Sequence, residues 1–353
     1  MGENRFKDNK LLGSAVLIGT LFILGVSILV IGEIGVRMTN PQPIMPRYVT
    51  DAPYDVRMNM PDTKYQHKTP DYKVKFDVNS EGMRDSREFQ YQKPENTTRI
   101  VVIGDSFTMG YGVNRTDLFT SVLERGLKYK ERDVQVINLG VSGFGTAEEL
   151  VTLKNKGLKY NPDLVIMAYY KNDKQNNIAS GLYELKEGNL KRSNEAYMPK
   201  IELRNFLYSL PPYRYAAENS QLLYVARSKA SSIIYKNILR KRSKDSSEEE
   251  SSSNSEYREE LTGKLIEKSY NITRDEGAEF LLVNIPDRDL ETEPPLNHTS
   301  SNTDIKYFNS AETLRKAPED QLLYWKKSQG HWTPYAQRKV GEDLIKRTEK
   351  ILD

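Results

Sequence analysis

The β-branched run Ile100-Val101-Val102-Ile103 stops abruptly at Gly104-Asp105-Ser106-Phe107-Thr108. An unbroken apolar run of this length suits a strand covered on both faces rather than one with a wet side. Two similar runs follow at 134–139 and 163–169, and a fourth at 279–285 is stopped by Pro286. Between them lie stretches with helical spacing. Residues 117–129 put Leu118, Val122, Leu123 and Leu127 on one side, and 146–156 open with Thr146 as N-cap and Glu148 and Glu149 in the first turn. Helical patterns at 257–275 and 335–352 complete the alternation. Strands and helices alternating at this spacing predict right-handed βαβ units, a mostly parallel sheet and the α/β class.

The chain is 353 residues long, enough for a sizeable core, and its first part carries an address. Residues 11–31 are apolar apart from Gly, Ser and Thr, and Arg5, Lys7 and Lys10 precede them. That length crosses a bilayer as a helix, and no convincing cleavage site follows. The pattern predicts a retained signal-anchor, a cytoplasmic tail at 1–10 and an extracytoplasmic remainder at the cell membrane. Residues 32–98, rich in Pro, Tyr, Asn and Asp without a sustained period, read as a juxtamembrane extension that packs on the domain rather than folding alone. Residues 178–262 break the alternation and read as an insertion into the domain at 99–353. The insertion is Tyr- and Leu-rich at first and then carries a Ser/Glu run at 243–255, expected as a disordered surface loop. With no cysteine, disulfides, thiolate catalysis and Cys-based metal sites are excluded, and a net charge of +3 gives no case for nucleic acid.

Three loops leave the ends of the first three strands, where open α/β sheets bind ligands. The first offers Ser106 either as a nucleophile exposed above the sheet or as a simple cap of the next helix. In the second, Asn138-Leu139-Gly140-Val141-Ser142-Gly143 has glycines that let backbone N–H groups approach a ligand. The third, Lys171-Asn172-Asp173, puts an amide side chain at the same edge. Of three histidines, His67 lies in the extension and His298 in a polar loop, whereas His331 opens the loop before the last helix and is the best candidate base. Neither a dinucleotide fingerprint nor a P-loop Lys-Ser/Thr is present, and no cofactor or metal is called for.

In this order, Gly104-Asp105-Ser106-Phe107, Asn138 to Gly143, Lys171-Asn172-Asp173 and His331-Trp332-Thr333-Pro334 resemble the motif blocks of the SGNH/GDSL hydrolase superfamily. The lead-in Asn79-Ser80-Glu81-Gly82-Met83-Arg84-Asp85 resembles its membrane-anchored or secreted members. The resemblance implies a three-layer α/β/α fold with a flavodoxin-like sheet and hydrolysis of carboxylic esters. It implies Ser106 as nucleophile, His331 as base, and an oxyanion hole from the Ser106 and Gly143 amides and the Asn172 side chain. The family's usual Asp, two or three residues before the histidine, is replaced by Gln329 and Ser328. Three possibilities follow: a Ser-His dyad, an acid from elsewhere such as Asp320, or a degenerate site. The expected function is an esterase removing O-acetyl groups from envelope or surface glycans. The same residues serve a lipid esterase or an acyltransferase, and a degenerate site would leave a glycan-binding or assembly protein.

Overall fold

The computed structural model describes residues 2–129, 133–193, 201–246, 251–292, 296, 304–328 and 330–353. The long helix α1 (Gly2–Thr39) comes first. Two antiparallel hairpins follow, β1 (Val49–Asp51) with β2 (Arg57–Asn59) and β3 (Thr63–Lys68) with β4 (Lys73–Val78). Then come β5 (Thr98–Gly104), α2 (Ser106–Met109), α3 (Phe119–Tyr129), β6 (Val134–Asn138), α4 (Thr146–Thr152), β7 (Leu164–Tyr170) and α5 (Asp173–Ser180). The hairpin β8 (Tyr183–Lys186) and β9 (Asn189–Arg192) precedes the helices α6 (Ile201–Ser209), α7 (Pro211–Asn219), α8 (Gln221–Ser246) and α9 (Ser251–Asp275). The chain closes with β10 (Glu279–Ile285), β11 (Lys306–Asn309), α10 (Ala311–Leu314) and α11 (Pro334–Leu352).

Five strands form one parallel sheet in the order β11-β10-β7-β5-β6, which is the doubly wound, flavodoxin-like order. Alternate residues of β5 face opposite layers. Ile100 and Val102 join Phe119, Leu123 and Leu127 of α3 and Val340 and Leu344 of α11. On the other side Val101 and Ile103 join Leu153, Tyr160 and Ile266 of α9. Each such branched side chain taken out of water is worth about 1.5–3 kcal/mol, so an unbroken apolar strand has to be covered twice. Three layers result. The order reverses between β5 and β7, and the loops carrying Ser106 and Asn172 both leave at that switch point.

The four expected strands are all present. A fifth, β11, is too short and mixed (Lys306-Tyr307-Phe308-Asn309) to read as a strand by pattern. The helix expected at 146–156 is α-helical to Thr152 and then widens by a π-turn through Gly157, where a side chain would press on Leu153 and Val101. The extension at 32–98 holds two hairpins and shares the domain's core. Tyr72, Val74 and Phe76 pack on Met109 and Tyr111, and Ala52 and Val56 on Val141 and Phe144. Of the Ser/Glu run, residues up to Ser246 and from Ser251 belong to α8 and α9, and 247–250 lie outside the described residues.

Candidate active site

Ser106 is set by its own strand. At Gly104 a Cβ would lie 2.1 Å from Thr108 Oγ1, so only glycine lets the chain turn this tightly into α2. The Asp105 carboxylate caps α2 by accepting from the Phe107 N–H at 2.8 Å. Burial pushes the Asp105 carboxyl upward, against the Phe107 N–H and the Asn172 amide, which favour its charged form. Two buried neighbours, Glu149 and Asp173, are likewise raised by burial first and then by nearby carboxylate charge, that of Asp105 on Glu149 and that of Glu149 on Asp173. Arg84, from the lead-in motif, is buried and stacks 3.7 Å from the Phe76 ring centre. It donates to the carbonyls of Met109 (3.1 Å), Gly110 (2.6 Å) and Val113 (2.6 Å), which close the turn after α2. Burial without a carboxylate pulls its guanidinium down to about 9.

The second loop lies directly against this turn. Leu139 N–H donates to Val102 O at 2.8 Å and Val141 N–H to Gly104 O at 3.1 Å. Gly140 abuts the α2 backbone so closely that a Cβ would meet Met109 N at 2.4 Å. Gly143 adopts φ +77°, a left-handed conformation that favours glycine. The extension holds both ends of the loop: Asn59 Nδ2 donates to Gly140 O at 3.1 Å, and the Arg57 guanidinium to Gly143 O. Tyr48 Oη donates to Ser142 Oγ at 3.4 Å. On the third loop Asn172 lies beside Asp105.

His331 reaches the same place from the far end of the chain, its Nε2 lying 2.7 Å from Ser106 Oγ. Both residues are nearly buried, at 7% and 8% exposure. The ring sits between Tyr111 (centres 4.5 Å apart) and Phe107 (5.0 Å). Its loop is pinned from the extension, with Lys327 N–H donating to Asp71 Oδ2 at 2.7 Å and Ser328 Oγ to Thr69 Oγ1 at 2.8 Å. On α11, Gln337 ties this loop to the serine turn, donating to Phe107 O at 2.9 Å and accepting from Phe119 N–H at 2.9 Å. Among the described residues, no carboxylate is within hydrogen-bond reach of the imidazole. Nδ1 is buried toward the backbone of Ser328, which raises its proton affinity without reaching hydrogen-bond geometry, and Asp320 is exposed and not among its partners. Burial and then the Arg288 charge bring His331 down to about 4, so the ring is in its basic form at neutral pH.

Ser106 and His331 are thus brought into contact, with Asn172 and the Gly143 loop around them. Gln329 and His298 lie outside the described residues. His67, a strand residue of β3 rather than part of an irregular segment, is buried against Tyr48, Tyr65, Phe76 and Tyr111. Both its ring nitrogens lack partners among the described residues, and burial brings it down to about 3. Arg57, Asn59, Thr69 and Tyr111 escape sequence reasoning. Only Tyr111, five residues after Ser106, carries a local signal for being there.

Residues 100–344 match the family model described as GDSL-like Lipase/Acylhydrolase. No curated protein matches the chain. Among solved structures, the psychrotrophic esterase EstA from a Pseudoalteromonas species is 14% identical with TM-score 0.40, covering 72% of this chain and 98% of that one. A member of the lipolytic G-D-S-L family from Veillonella parvula is 11% identical with TM-score 0.39, covering 70% and 97%. A lipase from a goat rumen metagenome is 15% identical with TM-score 0.39, covering 72% and 100%. At these scores family membership rests on the matched model, which spans more than half of the chain. The chain belongs to the GDSL-like lipase/acylhydrolase family and is an ester hydrolase.

Proposed function

We propose that this ester hydrolase works as a Ser-His dyad on the outer side of a membrane, removing O-acetyl groups from envelope or surface glycans. The 2.7 Å contact between Ser106 Oγ and His331 Nε2 carries the catalytic part. Ser106 Oγ attacks the ester carbonyl as His331 takes its proton, and the carbonyl oxygen becomes an oxyanion facing the Ser106 and Gly143 amides and the Asn172 side chain. Collapse expels the sugar alkoxide, which receives the proton from His331. Water then attacks the acyl-serine with His331 again as base, releasing the acid and restoring Ser106. With its low proton affinity, His331 is a weaker base than one beside a carboxylate, so more of the rate has to come from the oxyanion hole.

The anchor rests on α1, in which Gly13–Thr39 is long and apolar enough to cross a membrane and is not buried by the rest of the chain. A tether of this kind keeps the site close to polymers at the cell surface and favours a small acyl group on an immobile glycan. Full-length protein in vesicles, offered acetylated polysaccharide and long-chain p-nitrophenyl esters with Ser106→Ala as blank, is expected to release acetate in preference. Preference for the long-chain ester would contradict the glycan reading. For orientation, a single cysteine at the exposed Tyr129 should react with an impermeant maleimide in intact cells, and no reaction would contradict an outward-facing domain.

A further inference from the structure

The Tyr- and Leu-rich segment of the insertion supplies none of the residues assigned above to ester cleavage, yet it is where apolar surface gathers. Outside α1, Phe206 (59% exposed), Leu210 (40%) and Tyr215 (72%) stand on or between α6 and α7 within ten residues of sequence. Its position relative to α1 is set by polar contacts. The Glu33 carboxylate accepts from Ser220 Oγ at 2.8 Å, Gln221 N–H at 3.0 Å and Leu222 N–H at 2.9 Å, capping α8. Arg37 donates to Asn219 O at 2.8 Å, closing the C-terminus of α7, and Gln42 N–H donates to Gln221 Oε1 at 2.9 Å. At Gly32 a Cβ would stand 3.0 Å from Leu222, so helix and insertion touch there.

These contacts fix a height. Residues 11–31 rise about 31 Å as a helix, matching a hydrocarbon core of about 30 Å, so residues 32–37 lie in the headgroup layer roughly 2–9 Å above it. The end of α7 and the start of α8 lie at the same level, with Tyr215 one turn back from Asn219. Tyrosines, leucines and a phenylalanine next to Arg214, Arg227 and Arg47, two of which approach the Tyr208 ring at 5.5 and 5.7 Å, have the composition of an interfacial helix.

We propose that the α6–α7 segment is a second membrane contact, with Phe206, Leu210 and Tyr215 seated in the headgroup layer of the bilayer that α1 crosses. The occupant follows from continuity: the patch adjoins the outer end of the spanning helix. This rests on the anchor reading above. The contact also sets the reach of the site, because α8 runs from the clamp to α5, where Tyr235 Oη donates to Asn176 Oδ1 at 3.1 Å, one turn beyond Asn172. Fourteen residues of helix separate Gln221 from Tyr235, a strut of roughly 20 Å between anchor and site.

The chain has no cysteine, so single-cysteine variants label uniquely. Phe206→Cys and Tyr215→Cys, with Leu24→Cys in α1 and Tyr129→Cys as a distant exposed control, would carry bimane in the full chain. They would be reconstituted in phosphatidylcholine/phosphatidylglycerol vesicles bearing a nitroxide near the headgroup for positions 206, 215 and 129, and one along the acyl chain for positions 24 and 129. Quenching at 24, 206 and 215 at least about twofold above that at 129 is expected. Quenching at 24 with 206 and 215 no different from 129 overturns the second contact and leaves the anchor standing. No quenching at 24 overturns the anchor, and the second contact with it.

Discussion

The two halves of the site are held in opposite ways. Ser106 is positioned by what is next to it in sequence: the Gly104 turn, the Asp105 cap, and the Met109 and Gly110 carbonyls gripped by Arg84. His331 has no carboxylate behind it among the described residues and is held by rings and by contacts from residues more than two hundred positions away, Thr69, Asp71 and Tyr111. The first arrangement resists change because several short-range constraints agree. The second distributes its constraint over a surface, so each single contact matters less. The extension is what joins the halves, since it touches the Gly140–Gly143 loop on one side and the His331 loop on the other.

Substitutions should sort by half. Arg84→Ala removes a buried donor and strands several carbonyls beneath the serine turn; a loss of about 3 kcal/mol in unfolding free energy, read by urea denaturation, is expected. A loss under about 1 kcal/mol would mean the turn stands without it. Arg57→Ala removes a donor from the Gly143 carbonyl and, on the proposed role of the Gly143 amide, loosens the preceding peptide that carries that N–H. Removing an oxyanion donor outright costs about 10²–10³ in kcat, so a drop of roughly 30-fold with KM little changed is expected in steady-state kinetics. An equal rise in KM instead would place Arg57 in substrate binding.

On the histidine side, Ser328→Asp places a carboxylate at one of the two positions where the resemblance led an Asp to be expected. A neighbouring carboxylate favours imidazolium, so the acid limb of kcat/KM, expected near pH 4 because burial lowers His331 to about 4, should move up toward 6.5. An unmoved limb would mean that the carboxylate does not reach Nδ1 or that another group titrates. Tyr111→Leu removes one of two rings flanking His331 and should cost only a few-fold in kcat, consistent with distributed support. A loss as large as that of Arg57→Ala would erase the contrast between the halves.

What sequence could and could not reveal follows the same division. The strands β5, β6, β7 and β10 are apolar runs whose burial is written into their composition, and the loops after them follow from glycines and asparagines a few residues away. Ser106, Asn172 and the glycines of the second loop were therefore legible as candidates, with Gly143 singled out only by the family resemblance. Arg57, Asn59 and Thr69 were not, because they sit on short hairpins with mixed composition and act through contacts made only once the chain has folded. The hairpins themselves lack alternation clean enough to read: in β3, Thr63-Lys64-Tyr65-Gln66-His67-Lys68, the buried residue is a histidine. That Ser328 and Gln329 stand where an Asp was expected was visible, but the rings of Phe107 and Tyr111 against His331 were not.

The most direct test is p-nitrophenyl acetate hydrolysis with fluorophosphonate labelling of the full chain, beside Ser106→Ala and His331→Ala shown by thermal unfolding to be folded. Turnover and labelling by the parent are expected, with the label absent from Ser106→Ala and both variants down by about 10⁴-fold or more. A parent as inert and unlabelled as Ser106→Ala, or a Ser106→Ala variant that still turns over, would contradict the Ser106–His331 dyad as the site of ester hydrolysis.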